Sequence, residues 1–180
     1  MNLRNIFPLK MVRAVSVFVL LFAVSACQTT GIDATNLKTQ FASDGWSMHK
    51  KGKVQVYECR SCKTPQFVLI DPIKVRGDVE EAIRANVLSK ELMNAVANVI
   101  KVASKGAYQA SPVKKIATPT YSGFEIVGRF KTGKGMFYVA SRSIIQQNRG
   151  SNVVSIASNR GVAVRNLKRF FATSKITRGK

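Results

Sequence analysis

Apolar positions along this chain recur with two different periods, and the switches between them mark out its elements. KVQVYEC, residues 53–59, alternates apolar and polar side chains and is rich in residues that favour strands. QFVLID, residues 66–71, is a compact apolar strand, and RSCKTP between the two is a turn. The pair reads as a β-hairpin whose second strand ends at Pro72. The period then lengthens. Within GDVEEAIRANVLSKELMNAVANVIKVASKG, residues 77–106, Val79, Ile83, Val87, Leu92, Val96, Val99 and Val102 mark a helical stripe, widened by Leu88, Met93 and Ile100. Asp78 stands three residues before Glu81, as in a capping box, and Gly106 supplies a stop. The stretch predicts one long helix, with Ser89 as the place for any break.

SPVKKIATPT, residues 111–120, reads as a loop or short edge strand. GFEIVGRF (123–130) then places Phe124, Ile126, Gly128 and Phe130 on one face. The turn TGKG leads to MFYVASRSII (136–145), and QQNRG leads to NVVSIAS (152–158), completing a three-strand meander. Last, GVAVRNLKRFFATSK (161–175) puts Val164, Leu167, Phe170 and Phe171 on one helical face and Arg165, Lys168 and Arg169 on the other. The segregated order predicts an α+β fold: an antiparallel sheet, made of the N-terminal hairpin and the C-terminal meander, packed with one long helix and a C-terminal helix. This order resembles the PsbP/Mog1/DcrB-like sandwiches over much of residues 46–175. The resemblance implies a domain used for binding and assembly rather than for one chemistry.

The leading residues carry a different pattern. Arg4, Lys10 and Arg13 precede Ala14–Val24, which is apolar except for Ser16. A basic start, a short apolar run and small residues at its exit describe a secretory signal peptide, and the run is shorter than the ~20 residues a spanning helix needs. Val24-Ser25-Ala26-Cys27 resembles the lipobox of bacterial lipoproteins. That resemblance implies diacylation of the Cys27 thiol, removal of residues 1–26 and a membrane anchor at Cys27. Several acyl chains, at ~0.8 kcal/mol per buried CH₂, would hold a soluble domain at a membrane. Ordinary cleavage after Ala26, or an uncleaved anchor, stays open as an alternative. Gln28, where an Asp would signal inner-membrane retention in enteric bacteria, points to the outer membrane. The expected organisation is a signal peptide (1–26), an acylated tether (27–43) that makes the first contacts with the domain, and a single basic domain (44–180).

Charge sharpens the picture. The chain has 29 Lys and Arg against 9 Asp and Glu, and loss of residues 1–26 would leave 26 against 9, a net +17. Glu125 is the last acid, and twelve bases follow it. Such a field attracts polyanions. For an exported domain these are lipid headgroups, acidic polymers or acidic proteins, and nucleic acid is not the expected partner. A solvated basic surface without a specific ligand is the competing reading.

Candidate chemistry is sparse. With Cys27 acylated, Cys59 and Cys62 form an even pair, expected as a disulfide in an oxidising compartment. The CxxC spacing also admits a thiol-redox pair, which Arg60 and Lys63 would favour, but it lacks the helix start that stabilises the thiolate. His49 is the single histidine. A closed zinc site needs four N or S ligands, and Cys59, Cys62 and His49 supply three, so no metal site and no cofactor are predicted. Lys63 stands where a haem-attachment signature would need His. Asp78, Glu80 and Glu81 are assigned to helix capping and the helix dipole, and Glu125 to a strand, paired with a base. GRFKTGKG lacks the spacing of a phosphate-binding loop and reads as a hairpin turn. Trp46 is expected to cap an edge of the core, just before the first strand.

The expected protein is therefore a lipid-anchored envelope factor without enzymatic activity. It would engage an acidic protein or polyanionic envelope component through Arg165, Lys168 and Arg169. A periplasmic thiol-disulfide protein using Cys59 and Cys62, or a surface virulence or immunity factor acting by protein contact, are the alternatives.

Overall fold

The computed structural model describes residues 35–41, 45–133 and 135–178. Cys27 and the leading segment lie outside them. In chain order the elements are β1 (Leu37–Thr39), β2 (Trp46–Lys51), β3 (Val54–Cys59), β4 (Gln66–Lys74), α1 (Val79–Arg84), α2 (Lys90–Ala103), β5 (Tyr108–Ala110), β6 (Lys114–Ala117), β7 (Ser122–Thr132), β8 (Gly135–Gln146), β9 (Arg149–Ala157), α3 (Arg160–Ala172) and β10 (Ser174–Ile176). The class is α+β, with antiparallel pairing throughout.

The main sheet has the order β2-β3-β4-β9-β8-β7-β5, with β6 also on β7. Its centre joins the hairpin to the meander: β4 pairs with β9 from Gln66↔Ala157 to Lys74↔Arg149. Strand β7 is long enough to hold two short neighbours in tandem, β6 along Ser122–Glu125 and β5 along Gly128–Phe130. Gly123 is obligatory in that strand, because a Cβ there would stand 2.1 Å from the backbone oxygen of Ser143.

Three details depart from the expected hairpin and helix. Pro72 does not end β4. The β3 partner runs only from Phe67 to Ile70, so on that side Pro72 faces no ladder, and its missing N–H costs nothing there. The long helix is two helices. Asn86 adopts a positive φ of 63°, a conformation Asn tolerates better than most residues, and Ser89 then caps α2 by accepting from the N–H of Leu92 at 3.2 Å. Asp78 precedes α1 without making a side-chain cap.

Alternation along the strands divides the core into two faces. On one, α3 lays Ala163, Leu167 and Phe170 against Val68, Ile70, Ile144 and Val153, with Phe41 and Tyr57 closing the side. On the other, Ile83 of α1 and Met93 and Ala97 of α2 pack on Phe124, Ile126 and Ile145. Val56, Phe67, Phe130, Phe137 and Ile156 form a separate cluster, in which Phe130 stacks on Phe137 at 5.7 Å. A second, two-stranded sheet joins the ends of the domain, with Leu37 opposite Ile176. Thus Leu37 and buried Phe41, within the stretch expected to tether and first contact the domain, pack into its core.

Candidate functional site

Helix α3 is amphipathic for a plain reason: its apolar residues recur at the spacing that meets the sheet. Leu167 and Phe170 are buried, whereas Arg165, Lys168 and Arg169 are exposed on the outer side. Asn159 starts the helix by accepting from the N–H groups of Gly161 and Val162. Two bases fix its seat. Arg142, on β8, places its guanidinium 4.2 Å from the centre of the Phe171 ring and donates from Nε to Glu125 at 2.9 Å. Burial opposes a charge on Arg142, but its bonds to Glu125 and Tyr121 outweigh that and hold its pKa above the ordinary value. Glu125 thus has the basic partner expected of it. Arg169 lies 5.7 Å over the ring of Phe41, so its guanidinium is held against the surface while Arg165 and Lys168 stand out. With exposed Arg160 and Lys175, they make a basic surface along α3 and β10, a segment that contains no acidic residue.

The cysteines lie on another element. Cys59 ends β3, and a disulfide joins it to Cys62 across the loop to β4. The loop runs from strand to strand, so neither cysteine opens a helix. His49 pairs with Val56 on the neighbouring strand. Since Val56 and Cys59 are three residues apart on one strand, His49 and the disulfide belong to opposite faces of the sheet. Among the described residues no group of three or more His, Cys, Asp or Glu converges as metal ligands. Trp46, placed before the first strand by its sequence, begins β2 and meets Phe41 edge-on at 4.8 Å.

Glu80 was assigned to the helix start; it does more. It is 4% exposed and accepts from Arg84, from the backbone N–H of Gln147 at 2.9 Å and from Arg178 at 3.0 Å. Burial opposes its charge, yet the bonds from Arg84, Gln147 and Arg178 prevail and hold the carboxyl below its ordinary value. One carboxylate therefore ties α1, the β8–β9 turn and the C-terminal segment together. Its spacing from Arg84 was the only sequence signal for this role.

A second basic region lies where α2 ends. Lys105 at φ 51° and Gly106 at φ 78° close the helix, with the N–H of Gly106 donating to the carbonyl of Lys101. An open concavity of about 340 Å³ follows, lined by Lys105, Gly106, Gln109, Arg129, Lys131 and Met136. Arg129 is oriented by donating to Gln109 Oε1 at 2.7 Å. The GRFKTGKG stretch is the expected hairpin, and its strand bases Arg129 and Lys131 become one wall of this concavity. Among the described residues no helix is long and apolar enough to cross a membrane.

No protein-family model matches the chain, and no curated protein matches it by sequence. Solved structures do match its fold. LpqN, described as involved in cell envelope biogenesis of Mycobacterium tuberculosis, aligns with a TM-score of 0.57 at 11% identity, covering 85% of this chain and 90% of that one. A protein from Bacteroides thetaiotaomicron aligns with a TM-score of 0.50 at 10% identity over 82% of this chain, which spans 48% of the larger partner. The cyanobacterial PsbP of Synechocystis aligns at 0.44 with 12% identity, too distant to carry an argument. At these identities the shared property is the fold.

Proposed function

We propose that this chain is an envelope lipoprotein, anchored through acylated Cys27, whose domain binds or assembles other envelope components without catalysing a reaction. Its partner is an acidic protein or an anionic envelope polymer, engaged by Arg165 and Lys168 with Arg169 beside them. The observation that carries this reading is the basic outer side of α3, where Arg165 and Lys168 stand exposed while Leu167 and Phe170 are buried in the core. The lipobox-like Val24-Ser25-Ala26-Cys27 supports the anchor, and the common fold with an envelope-biogenesis protein accords with the compartment.

The test is charge reversal. Each Lys or Arg near an anionic surface contributes ~1 kcal/mol, so Arg165→Glu with Lys168→Glu should weaken association with envelope fractions, and with long-chain polyphosphate as a defined probe, by at least about 25-fold. Association of the parent should fall steeply with salt. Binding that is insensitive to salt and unchanged by both reversals would refute the proposal.

A further inference from the structure

Arg84 and Arg178 share the Glu80 carboxylate, and Arg142 is paired with Glu125, so their charges are met within the fold. Arg129 is held differently. Its Nε and Nη2 donate to Gln109 Oε1 at 3.1 and 2.7 Å. An amide is neutral, so the guanidinium is oriented without losing its charge. The N–H groups on its far edge remain as a fork for two oxygens of one anion. Lys131 follows two residues later on β7, so both side chains leave the same face of the sheet, about 7 Å apart at the backbone. Arg129 pairs with Tyr138, and Tyr138 with Ala157 of the α3 core, so this is the face on which α3 packs. Lys105, from the turn that ends α2, lines the same concavity.

Among the described residues, no acid lines this concavity. The chain carries none between Glu91 and Glu125, and none after Glu125. Glu91 stands in the first turn of α2, about 18 Å from its last residue, and Glu125 is engaged by Arg142. The carbonyl end of a helix repels anions, but that of α2 is closed on itself. The N–H groups of Ser104, Lys105 and Gly106 donate to the carbonyls of Ile100, Val102 and Lys101, and Ser104 Oγ donates to Lys101 as well.

We infer that this concavity binds a phosphomonoester group, borne by a soluble sugar phosphate or by a lipid headgroup. Charge decides between anions. A phosphomonoester carries about −1.5 to −2 at pH 7 and three acceptor oxygens, enough for the Arg129 fork and both lysines. A carboxylate brings one charge and two oxygens, and leaves bases unmatched. The volume of about 340 Å³ is at the small end for ligand sites, and admits the phosphate with the first group attached to it. Met136, 37% exposed, offers that group an apolar contact. The site stands apart from the α3 surface and from the anchor, since neither contributes a residue to it.

The test is calorimetric titration of full-length protein, purified from membranes, at physiological salt. The probes are glucose 1-phosphate and dihexanoyl phosphatidic acid. At least one should saturate the protein at one per chain. Arg129→Gln should weaken that binding by at least about ten-fold, with the urea midpoint of the parent. Arg129→Lys keeps the charge but loses the fork, and should not restore it. Gln109→Ala, which frees the guanidinium, should also weaken binding. Arg165→Gln with Lys168→Gln should leave it within about two-fold of the parent. Arg129-dependent saturation by glucose 1-phosphate would uphold the site with a soluble source, and by phosphatidic acid alone with a lipid source. Failure of both probes to saturate, an adventitious ion only, would overturn the proposal. So would full affinity in Arg129→Gln, or equal weakening by the α3 pair, which would reduce the site to the general field of the domain.

Discussion

Replacing Glu80 by Gln keeps the shape of the side chain and removes its charge, so it isolates what the carboxylate does. Glu80 Oε1 receives Arg84 Nε at 3.2 Å and Nη2 at 2.7 Å, and Arg178 Nη1 at 3.2 Å. Its Oε2 receives the N–H of Gln147 and Arg178 Nη2. A hydrogen bond to a charged group contributes about 1.5–3 kcal/mol net, but these do not add, because the Arg84 and Arg178 side chains are 30% and 44% exposed and water replaces much of what they lose. The amide also turns donors toward guanidinium donors on one side. The expected loss is about 2–3 kcal/mol, read as a lower urea midpoint at pH 7 with unchanged slope. The pH dependence gives a second readout. The folded-state pKa of Glu80 is lowered, so its contribution is complete above the ordinary carboxylate range and is lost as pH falls through the folded value. Glu80→Gln should therefore lose less stability than the parent as pH falls below the ordinary carboxylate range. Glu81→Gln, one residue along and exposed, should stay within about 0.5 kcal/mol of the parent. A Glu80→Gln protein as stable as the parent, with a parallel pH profile, would refute the tie.

Two further outcomes test the packing. Phe170 is fully buried against Phe41, Tyr57 and Phe171, so Phe170→Ala should cost about 3–5 kcal/mol by urea denaturation. Burial pushes the Tyr108 phenol up to about 12, so an ultraviolet absorbance titration should contain a late step that Tyr108→Phe removes. The sign is that of a raised acid: any stability it lends is complete below the ordinary phenol value and declines as pH rises toward the folded one.

The elements that could be recognised from the sequence were those whose pattern is local. β7, β8 and β9 alternate over long runs and are separated by short polar turns, so the meander and its order follow from side-chain period alone. β2 was missed because WSMHKK lies at the sheet's edge, where only one face and one neighbour constrain it. β1 and β10 have three residues each, and neither carries a signal until the other is beside it. The expected stripe of α2 is covered only in part, with Met93 buried but Leu92, Val99 and Val102 exposed, and this has another origin. A periodic pattern locates an apolar arc, but when the arc is broader than the surface it meets, only the tertiary packing decides which part is covered. Glu80 illustrates the same limit for charge: its tie to Arg178 spans most of the domain. The basic face of α3 could be read in advance because Leu167 and Phe170 alone fix which side is inward.

The β1–β10 pair has a mechanical consequence. A pull on the leading segment enters the domain at Thr35 and Leu37, and its first resistance is a ladder of three residue pairs, from Leu37↔Ile176 to Thr39↔Ser174, beside the Thr35–Ser151 hydrogen bond. β10 follows α3 directly, so the load passes next into that helix and its aromatic seat. The eight-stranded sheet shares the load only at its margin, through Ser151 of β9 and Gln146 at the end of β8. A domain held to a moving surface by its first residues would thus yield at this small clasp, and reclose it, while the strands that carry the rest of the fold stay in register.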